Sequence, residues 1–324
     1  MYTPTAVFKN QPKAAAPPAG GFLLDDVGVD AVAALGFYKL RSAYTGDCIQ
    51  VRRESDSVTQ DIGFTGTGEL DTAAIATFCG SSQGRLAIWY DQSGNGFDFN
   101  STQNLQAGTA ADQPIIYYDY GGATGYAVTT DAAGNIAAYS REPGSTSPQG
   151  TLFLNSPTMD SKQRPTITMF AQINTHNGNG IYHTELANGY NQGTYGADNS
   201  NLKIIKSNGQ NLVQKGLIEL DATDPFASTV FYSDDFGTNT SKWWITSELD
   251  NATFETSFTT SGFNAAAYAN VSIFRYYSST LYQNCAFSGY IYWDLPSGTT
   301  LSATELNDLY TWVETNLGYT NNAP

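Results

Sequence analysis

Short apolar and aromatic runs, separated by clusters of Gly, Asn, Asp and Ser, recur along most of this chain, which is the pattern of strands and turns. Ile115–Tyr118, Ile167–Ile173, Leu202–Ile205, Thr229–Tyr232, Trp243–Thr246, Asn270–Phe274 and Ser288–Trp293 are β-branched or aromatic segments of strand length. Helical spacing is confined to a few places. Asp30 stands where it caps a short helix through Leu40, with Val32, Leu35, Tyr38 and Lys39 on one face. Glu69–Phe78 reads as a second short helix, with Asp71 at its N-cap and Gly80 just past its end. Ser302 and Glu305 form a Ser-x-x-Glu capping box; Leu306, Leu309, Tyr310, Val313 and Leu317 follow at helical spacing, and Gly318 stops the helix. Tyr44–Asp47 turns the chain into a strand over Cys48–Arg53, and Leu86–Tyr90 is a strand halted by Asp91-Gln-Ser-Gly-Asn-Gly96. Gly121–Gln163 is poor in long apolar runs and reads as a surface excursion. No internal repeat is visible. These elements predict an all-β protein, a two-sheet sandwich with a few short helices.

Composition agrees with that prediction. Of the 324 residues, 41 % are hydrophobic and 13 % aromatic, enough for a sizeable core, while only 14 % are charged. The net charge of -15 argues against nucleic acid as a partner, because phosphate binding needs clustered Lys and Arg. No apolar stretch is long enough to span a bilayer, so membrane insertion is not expected. Met1–Gly21 is set apart by Pro4, Pro12, Pro17 and Pro18, which favour extended backbone. The expected organisation is an extended arm over 1–21 that docks on a neighbouring subunit, then one sandwich domain over 22–324. Met1–Lys13 lacks the apolar region of a signal peptide, which predicts synthesis in the cytoplasm without export by the general pathway. Cys48, Cys79 and Cys285 form no CxxC pair and no metal-ligand cluster, and read as buried or semi-buried thiols in a reducing cytosol.

Candidate chemistry is sparse. The histidines are His176 and His183; neither sits in a nucleophile context, and His183 reads as a strand residue with a polar tip. Asp91-Gln-Ser93-Gly-Asn95-Gly96 alternates oxygen ligands as a calcium loop does, but Thr102 stands where the bidentate Glu is needed, so a self-bonded Asx turn is expected. No metal and no cofactor is expected. Glu185, Asp198, Asp234, Asp235, Glu248, Asp250 and Glu255 lie in polar contexts that suit paired carboxylates. Tyr190, Tyr195, Trp243, Trp244, Tyr276 and Tyr277 suit a platform on which sugar faces stack. Strand alternation puts one of Trp243 and Trp244 inward and the other outward. The candidate carbohydrate contacts are Glu185, Asn188, Tyr190, Trp243 and Trp244, with no catalytic residue assigned.

Leu40–Gly46, the basic strand ending at Arg53, Gln60-Asp-Ile62, the helix ending Phe78-Cys79, and Trp89-Tyr-Asp-Gln-Ser-Gly94 together resemble one family. It is the catalytic domain of the family 54 α-L-arabinofuranosidases; the same block also resembles phage virion proteins of lectin-like fold. The resemblance implies a concanavalin-A-like (jelly-roll) sandwich. The family carries its nucleophile in a segment like Asp-Leu-Glu-Asn-Gly; the nearest match, Glu185-Leu-Ala187-Asn188-Gly189, puts Ala187 at that place. Where the family's general acid is expected, Arg275–Ser279 has no carboxylate. The substrate-contacting vicinal cysteine pair is absent, and Gly84 stands where Cys79 would have a nearby partner.

The phage-type block over Tyr38–Asn100, the missing export signal, the Pro/Ala arm and these absences together give the expectation of a structural protein of a bacteriophage virion, a capsid decoration, fibre or tail component anchored by its arm. Its expected location is the virion, assembled in the host cytoplasm. Other virion proteins, further copies of itself and a host glycan are the expected partners. The alternative is a glycoside hydrolase of arabinofuranosidase type acting on arabinose- or galactose-containing polysaccharide, and between the two stands a carbohydrate-binding module that does not cut.

Overall fold

The computed structural model describes residues 21–100, 113–131, 134–139, 154–155, 166–173, 180–187, 190–197, 201–207, 212–219, 226–235, 240–247, 253–259, 268–273, 285–295 and 301–318. Residues 1–20 of the expected N-terminal arm therefore lie outside the described residues. The chain begins with α1 (Leu23–Val27), β1 (Ala31–Gly36), β2 (Ile49–Arg53), β3 (Thr59–Ile62), α2 (Thr72–Cys79), β4 (Gly84–Trp89) and β5 (Phe99–Asn100). It continues through β6 (Ile115–Asp119), β7 (Tyr126–Val128), β8 (Ala138–Tyr139), β9 (Leu154–Asn155), β10 (Thr166–Ile173), β11 (Gly180–Ala187), β12 (Tyr190–Ala197) and β13 (Asn201–Ser207). The last elements are β14 (Leu212–Glu219), β15 (Phe226–Asp235), β16 (Thr240–Ser247), β17 (Thr253–Thr259), β18 (Tyr268–Ile273), β19 (Cys285–Trp293) and α3 (Ala303–Leu317).

Antiparallel pairing runs in two long series. One is β1–β19–β10–β15–β16–β17. The other is β3–β2–β4–β5–β9–β18–β11–β12–β13–β14. Strands β6 and β8 join them at a corner, with β6 on β4 and β8 on β19. The inner faces of the two series meet in the main core: Leu35, Phe287, Tyr290 and Tyr292 from one, Ile49, Val51, Leu86, Trp89 and Phe99 from the other. Phe37 stacks on Trp89 with centroids 4.5 Å apart, and Phe99 lies 5.5 Å from the Tyr290 ring. The predicted all-β sandwich is what forms.

A second core covers the outer face of the first sheet. Ala31, Ala34, Ile291, Trp293 and Phe170 pack there against α1 and α3. The helix expected from Asp30 to Leu40 does not exist; Ala31–Gly36 is a strand buried at every position. The reason is burial on both faces. Ala34 faces the helices and Leu35 the main core, so polar alternation vanishes and the apolar run is indistinguishable from a buried helix by spacing alone. Helix α1 forms earlier instead, closed by Gly28 at φ 69° with its N–H on the Leu24 carbonyl. Gly289 of β19 is crossed by Phe170 and Gly36, its register partners. A Cβ on Gly289 would fall 2.6 Å from Phe170 Cδ2, so only glycine lets that ring lie flat over the strand.

The other helices follow their predicted caps. Asp71 accepts from the Ala74 N–H at 2.9 Å and Gly80 ends α2. Ser302 and Glu305 make the reciprocal box on α3, and Gly318 closes it at φ 69°. Gly121–Gln163 is not wholly a surface excursion: Thr129, Asp131, Asn135, Ala137, Ala138 and Tyr139 are buried. Its polar residues are used internally. Thr129 Oγ1 donates to the Ala137 carbonyl at 2.6 Å, and Asn135 Nδ2 donates to the Leu317 carbonyl at 2.8 Å, satisfying the end of α3.

Candidate functional site

The most recognisable motif of the chain, Asp91–Gly96, is a structural strap. Strand β1 has β19 along one edge only, and the other edge is completed by side chains of this loop. Asp91 Oδ1 accepts from Ala34 N at 2.8 Å and from Ser93 N at 2.9 Å. Asp91 Oδ2 accepts from Phe97 N at 3.0 Å and lies 2.6 Å from Ser93 Oγ. Gln92 Oε1 accepts from Leu40 N at 2.7 Å, while its Nε2 donates to the carbonyls of Gly36 and Tyr38. Asn95 Nδ2 donates to the carbonyls of Ala31 and Val32, each at 3.0 Å. These groups stand where a neighbouring strand would and give partners to Ala31 O, Val32 O, Ala34 N and Gly36 O on the β1 edge. The Asx turn expected at Asp91 is present. Both carboxylate oxygens are occupied, which leaves no calcium-loop geometry, and among the described residues no cluster of His, Cys, Asp and Glu suits a metal.

The neighbouring titratable groups are shifted by burial. The Asp98 carboxyl, accepting from Asp91 N at 2.8 Å, is raised by desolvation, against which that hydrogen bond works, and further by the Asp91 charge. Burial raises the Tyr90 hydroxyl, which also donates to Asp61 Oδ1 at 2.6 Å. Cys48 is fully buried and its thiol raised well above the ordinary value by desolvation. Burial pushes Cys79 up to about 11 against the pull of Arg53. Neither thiol has the thiolate character of a nucleophile. Gly84 abuts Cys79 closely: a Cβ there would lie 2.9 Å from both Cys79 Sγ and Tyr117 Cβ.

Several of the sequence candidates lie on the second sheet, where register gives their placement. Residues directly opposite in an antiparallel pair share a face. Trp89 and Phe99 belong to the main core, so Ile88 and Asn100 lie on the opposite face of that sheet. Asn100 pairs Asn155, Asn155 pairs Ser272, and Ser272 pairs Thr184. His183 and Glu185 therefore stand on the core side of β11, with Ile273 and Val271 as their β18 partners. On β12 their partners are Tyr195 and Gln192, and Ala187 pairs Tyr190. One face thus collects His183, Glu185, Ala187, Tyr190, Gln192 and Tyr195.

The same logic sorts the tryptophans. Tyr292 pairs Ile167, Ile167 pairs Tyr232, and Tyr232 pairs Trp243, which puts Trp243 on the core side of the first sheet. Trp244 pairs Phe231 on the helix side of that sheet. Of the five candidate contacts, Glu185 and Tyr190 share a face, Trp243 is on the core side of the other sheet, and Trp244 is on neither. Asn188 lies outside the described residues, as does Arg275–Ser279. Sequence reasoning set aside His183 and passed over Gln192. The alternation of Tyr182-His183-Thr184-Glu185 carried the first signal; the second depends on an irregularity that leaves Gly193 unpaired against β11.

Comparison with known proteins relates part of the chain to one family. Residues 26–144 match the family model for the alpha-L-arabinofuranosidase B catalytic domain. An alpha-L-arabinofuranosidase of Hypocrea jecorina is 37 % identical over 90 residues, covering 28 % of this chain and 18 % of that enzyme. Alpha-L-arabinofuranosidase B of Aspergillus oryzae is 47 % identical over 58 residues, 18 % of this chain and 12 % of that one. The matched region thus spans less than a fifth of either enzyme. Among solved structures, an arabinofuranosidase complexed with arabinofuranosyl-alpha-1,2-xylobiose superposes with a TM-score of 0.62 at 17 % identity, over 95 % of this chain and 66 % of that one. A GH54 α-L-arabinofuranosidase soaked with a cyclic sulfate inhibitor gives 0.62 at 16 % identity, with the same coverage of 95 % and 66 %.

These matches overturn the expectation of a bacteriophage structural protein, with its capsid-decoration and tail roles. The block on which that expectation rested is framework, the strap and the strands it holds, and framework does not specify a virion role. The matched domain is that of an enzyme, which agrees with the alternative reading of the sequence. Over residues 26–144 the chain is related to the catalytic domain of arabinofuranosidase B, and it shares the β-sandwich fold of the family 54 enzymes.

Proposed function

We propose that this protein is a glycoside hydrolase of arabinofuranosidase type, releasing α-L-arabinofuranosyl groups from a polysaccharide. The observation that carries the reading is the match of residues 26–144 to the arabinofuranosidase B catalytic domain. The register of β11 supports it by putting Glu185 on a face with Tyr190, Gln192 and Tyr195. A carboxylate activates the attacking group at the anomeric carbon, amide and phenol groups read sugar hydroxyls, and aromatic rings stack on the sugar's apolar side. The test is release of 4-nitrophenol from 4-nitrophenyl α-L-arabinofuranoside and of arabinose from arabinoxylan. Glu185→Gln should reduce both by about 10²-fold or more if Glu185 transfers the proton. Absence of turnover by the unmodified protein on either substrate sinks the reading.

Binding without cleavage is the second reading, and Ala187 favours it, since the resemblance puts that residue at the nucleophile's place. Calorimetric binding of arabinosyl-oligosaccharides with no arabinose released would establish it.

A further inference from the structure

Strands β2 and β4 set two arginines against each other. Arg52 pairs directly with Arg85, and one step beyond the strand ends Glu54 N donates to the Gln83 carbonyl at 2.9 Å. Val51 and Leu86 turn into the main core, so Arg52, Glu54, Gln83 and Arg85 share the outer face of the second sheet. Like charges directly opposite each other weaken a strand pair. These two are also well enclosed: Arg52 is 8 % exposed and the Arg85 side chain 11 %. Burial lowers the Arg52 guanidinium; the Glu54 charge opposes that shift and the Arg85 charge adds to it.

The hydrogen bonds of this patch leave donors in surplus. Arg52 Nε donates to Gln113 Oε1 at 2.7 Å, and Arg85 Nη2 donates to the Glu54 carboxylate at 3.1 Å and 3.3 Å. Two further donors, Arg85 Nε and Gln83 Nε2, are enclosed and have no hydrogen-bond partner among the described residues. Enclosed donors of this kind are costly to leave unmatched, and what matches them is an acceptor carrying negative charge.

We propose that Arg52, Gln83 and Arg85 form a subsite for a carboxylate, such as that of an acidic sugar. The proposal goes beyond the hydrolase reading and does not depend on it. A carboxylate only accepts, and it accepts from a guanidinium and a neighbouring amide at once. A neutral sugar brings hydroxyls that donate as well as accept, and it gains little from two guanidinium charges. Glu54, 40 % exposed in its side chain, stands at the open side of the patch as the charge an incoming carboxylate meets.

The deciding experiment is calorimetric titration of the full chain at low ionic strength with sodium glucuronate, sodium acetate and glucose in separate arms. Glucuronate should bind saturably, more weakly as salt is added, and glucose should not bind. Arg85→Gln should weaken glucuronate binding by about 10-fold or more. Glu54→Gln should tighten it, because the change removes a repelling carboxylate and leaves the donors in place. An Arg85–Glu54 pair with a purely structural role gives no such tightening. Acetate bound as tightly as glucuronate supports the subsite and makes its ligand a free carboxylate; tighter glucuronate makes it a sugar acid. No saturable binding of glucuronate or acetate by the unmodified protein and by Glu54→Gln overturns the proposal, as does equal binding of glucose. Should Arg85→Gln fail to fold, the direction of the Glu54→Gln effect decides.

Discussion

Replacing Asp91 by alanine is the most direct test of how the first sheet is held. The change removes the acceptor for Ala34 N, Ser93 N and Phe97 N, and the oxygen beside Ser93 Oγ. Asp91 is 4 % exposed, so water cannot readily replace it. A buried donor left without a partner costs about 1–3 kcal/mol, and the two most enclosed amides, Ala34 N and Ser93 N, each lose theirs. With partial relaxation of the loop, the expected loss is about 2–5 kcal/mol, a large part of the roughly 5–15 kcal/mol that holds a typical domain. Asp91→Asn keeps one carbonyl oxygen for Ala34 N and Ser93 N but turns an amide toward Phe97 N, and should cost about 1–3 kcal/mol. Urea unfolding followed by tryptophan fluorescence measures both, with an unchanged slope showing that the folded state is otherwise intact. Hydrogen exchange should locate the new opening at Ala34. If alanine at position 91 costs under about 1 kcal/mol, or asparagine costs as much as alanine, the strap does not hold β1 as its hydrogen bonds imply.

Gly289→Ala should destabilise the protein by about 1–3 kcal/mol, because the new methyl meets Phe170 Cδ2 at 2.6 Å and the Leu35 carbonyl at 3.1 Å. The double change with Phe170→Leu should recover part of that loss in thermal melts, and strict additivity would count against the contact. Asp98 is a group whose carboxyl is raised by burial, so the folded state holds its proton more tightly than the unfolded chain does. Its contribution grows as pH falls from the raised value toward about 3.9 and is lost as pH rises above it. Asp98→Asn should therefore compare more favourably with the unmodified protein at pH 7 than near pH 4; the opposite order in urea midpoints refutes the assignment. Cys48 and Cys79, buried and with raised thiol pKa values, should resist iodoacetamide in the native protein at neutral pH and react after unfolding. Rapid native labelling at either one would contradict their burial.

Much of the framework is written locally. The α3 helix is specified by Ser302, Glu305, its apolar stripe and Gly318, all within one segment, so sequence spacing alone locates it. Asp71 and Gly80 do the same for α2, and short β-branched runs mark strands such as β6, β10 and β19. Local signals failed where burial is two-sided or polarity is repaid at a distance. Strand β1 lost its alternation because Ala34 serves one core and Leu35 another. Thr129 and Asn135 read as loop residues, yet they are buried because their partners are the Ala137 carbonyl next door and the Leu317 carbonyl at the far end of the chain.

The sequence by itself determined the class of fold, the caps of α2 and α3 and the similarity of the Asp91 block to an arabinofuranosidase catalytic domain, since each depends on residues close together in the chain. Only the tertiary structure decided what that motif does and which residues share a face. Asp91 became a strap because the β1 edge, more than fifty positions earlier, lacked a neighbouring strand. His183 joined Glu185, and Trp243 parted from Trp244, because strand register fixes the face on which each residue stands, and a chain read in order does not reveal its own register.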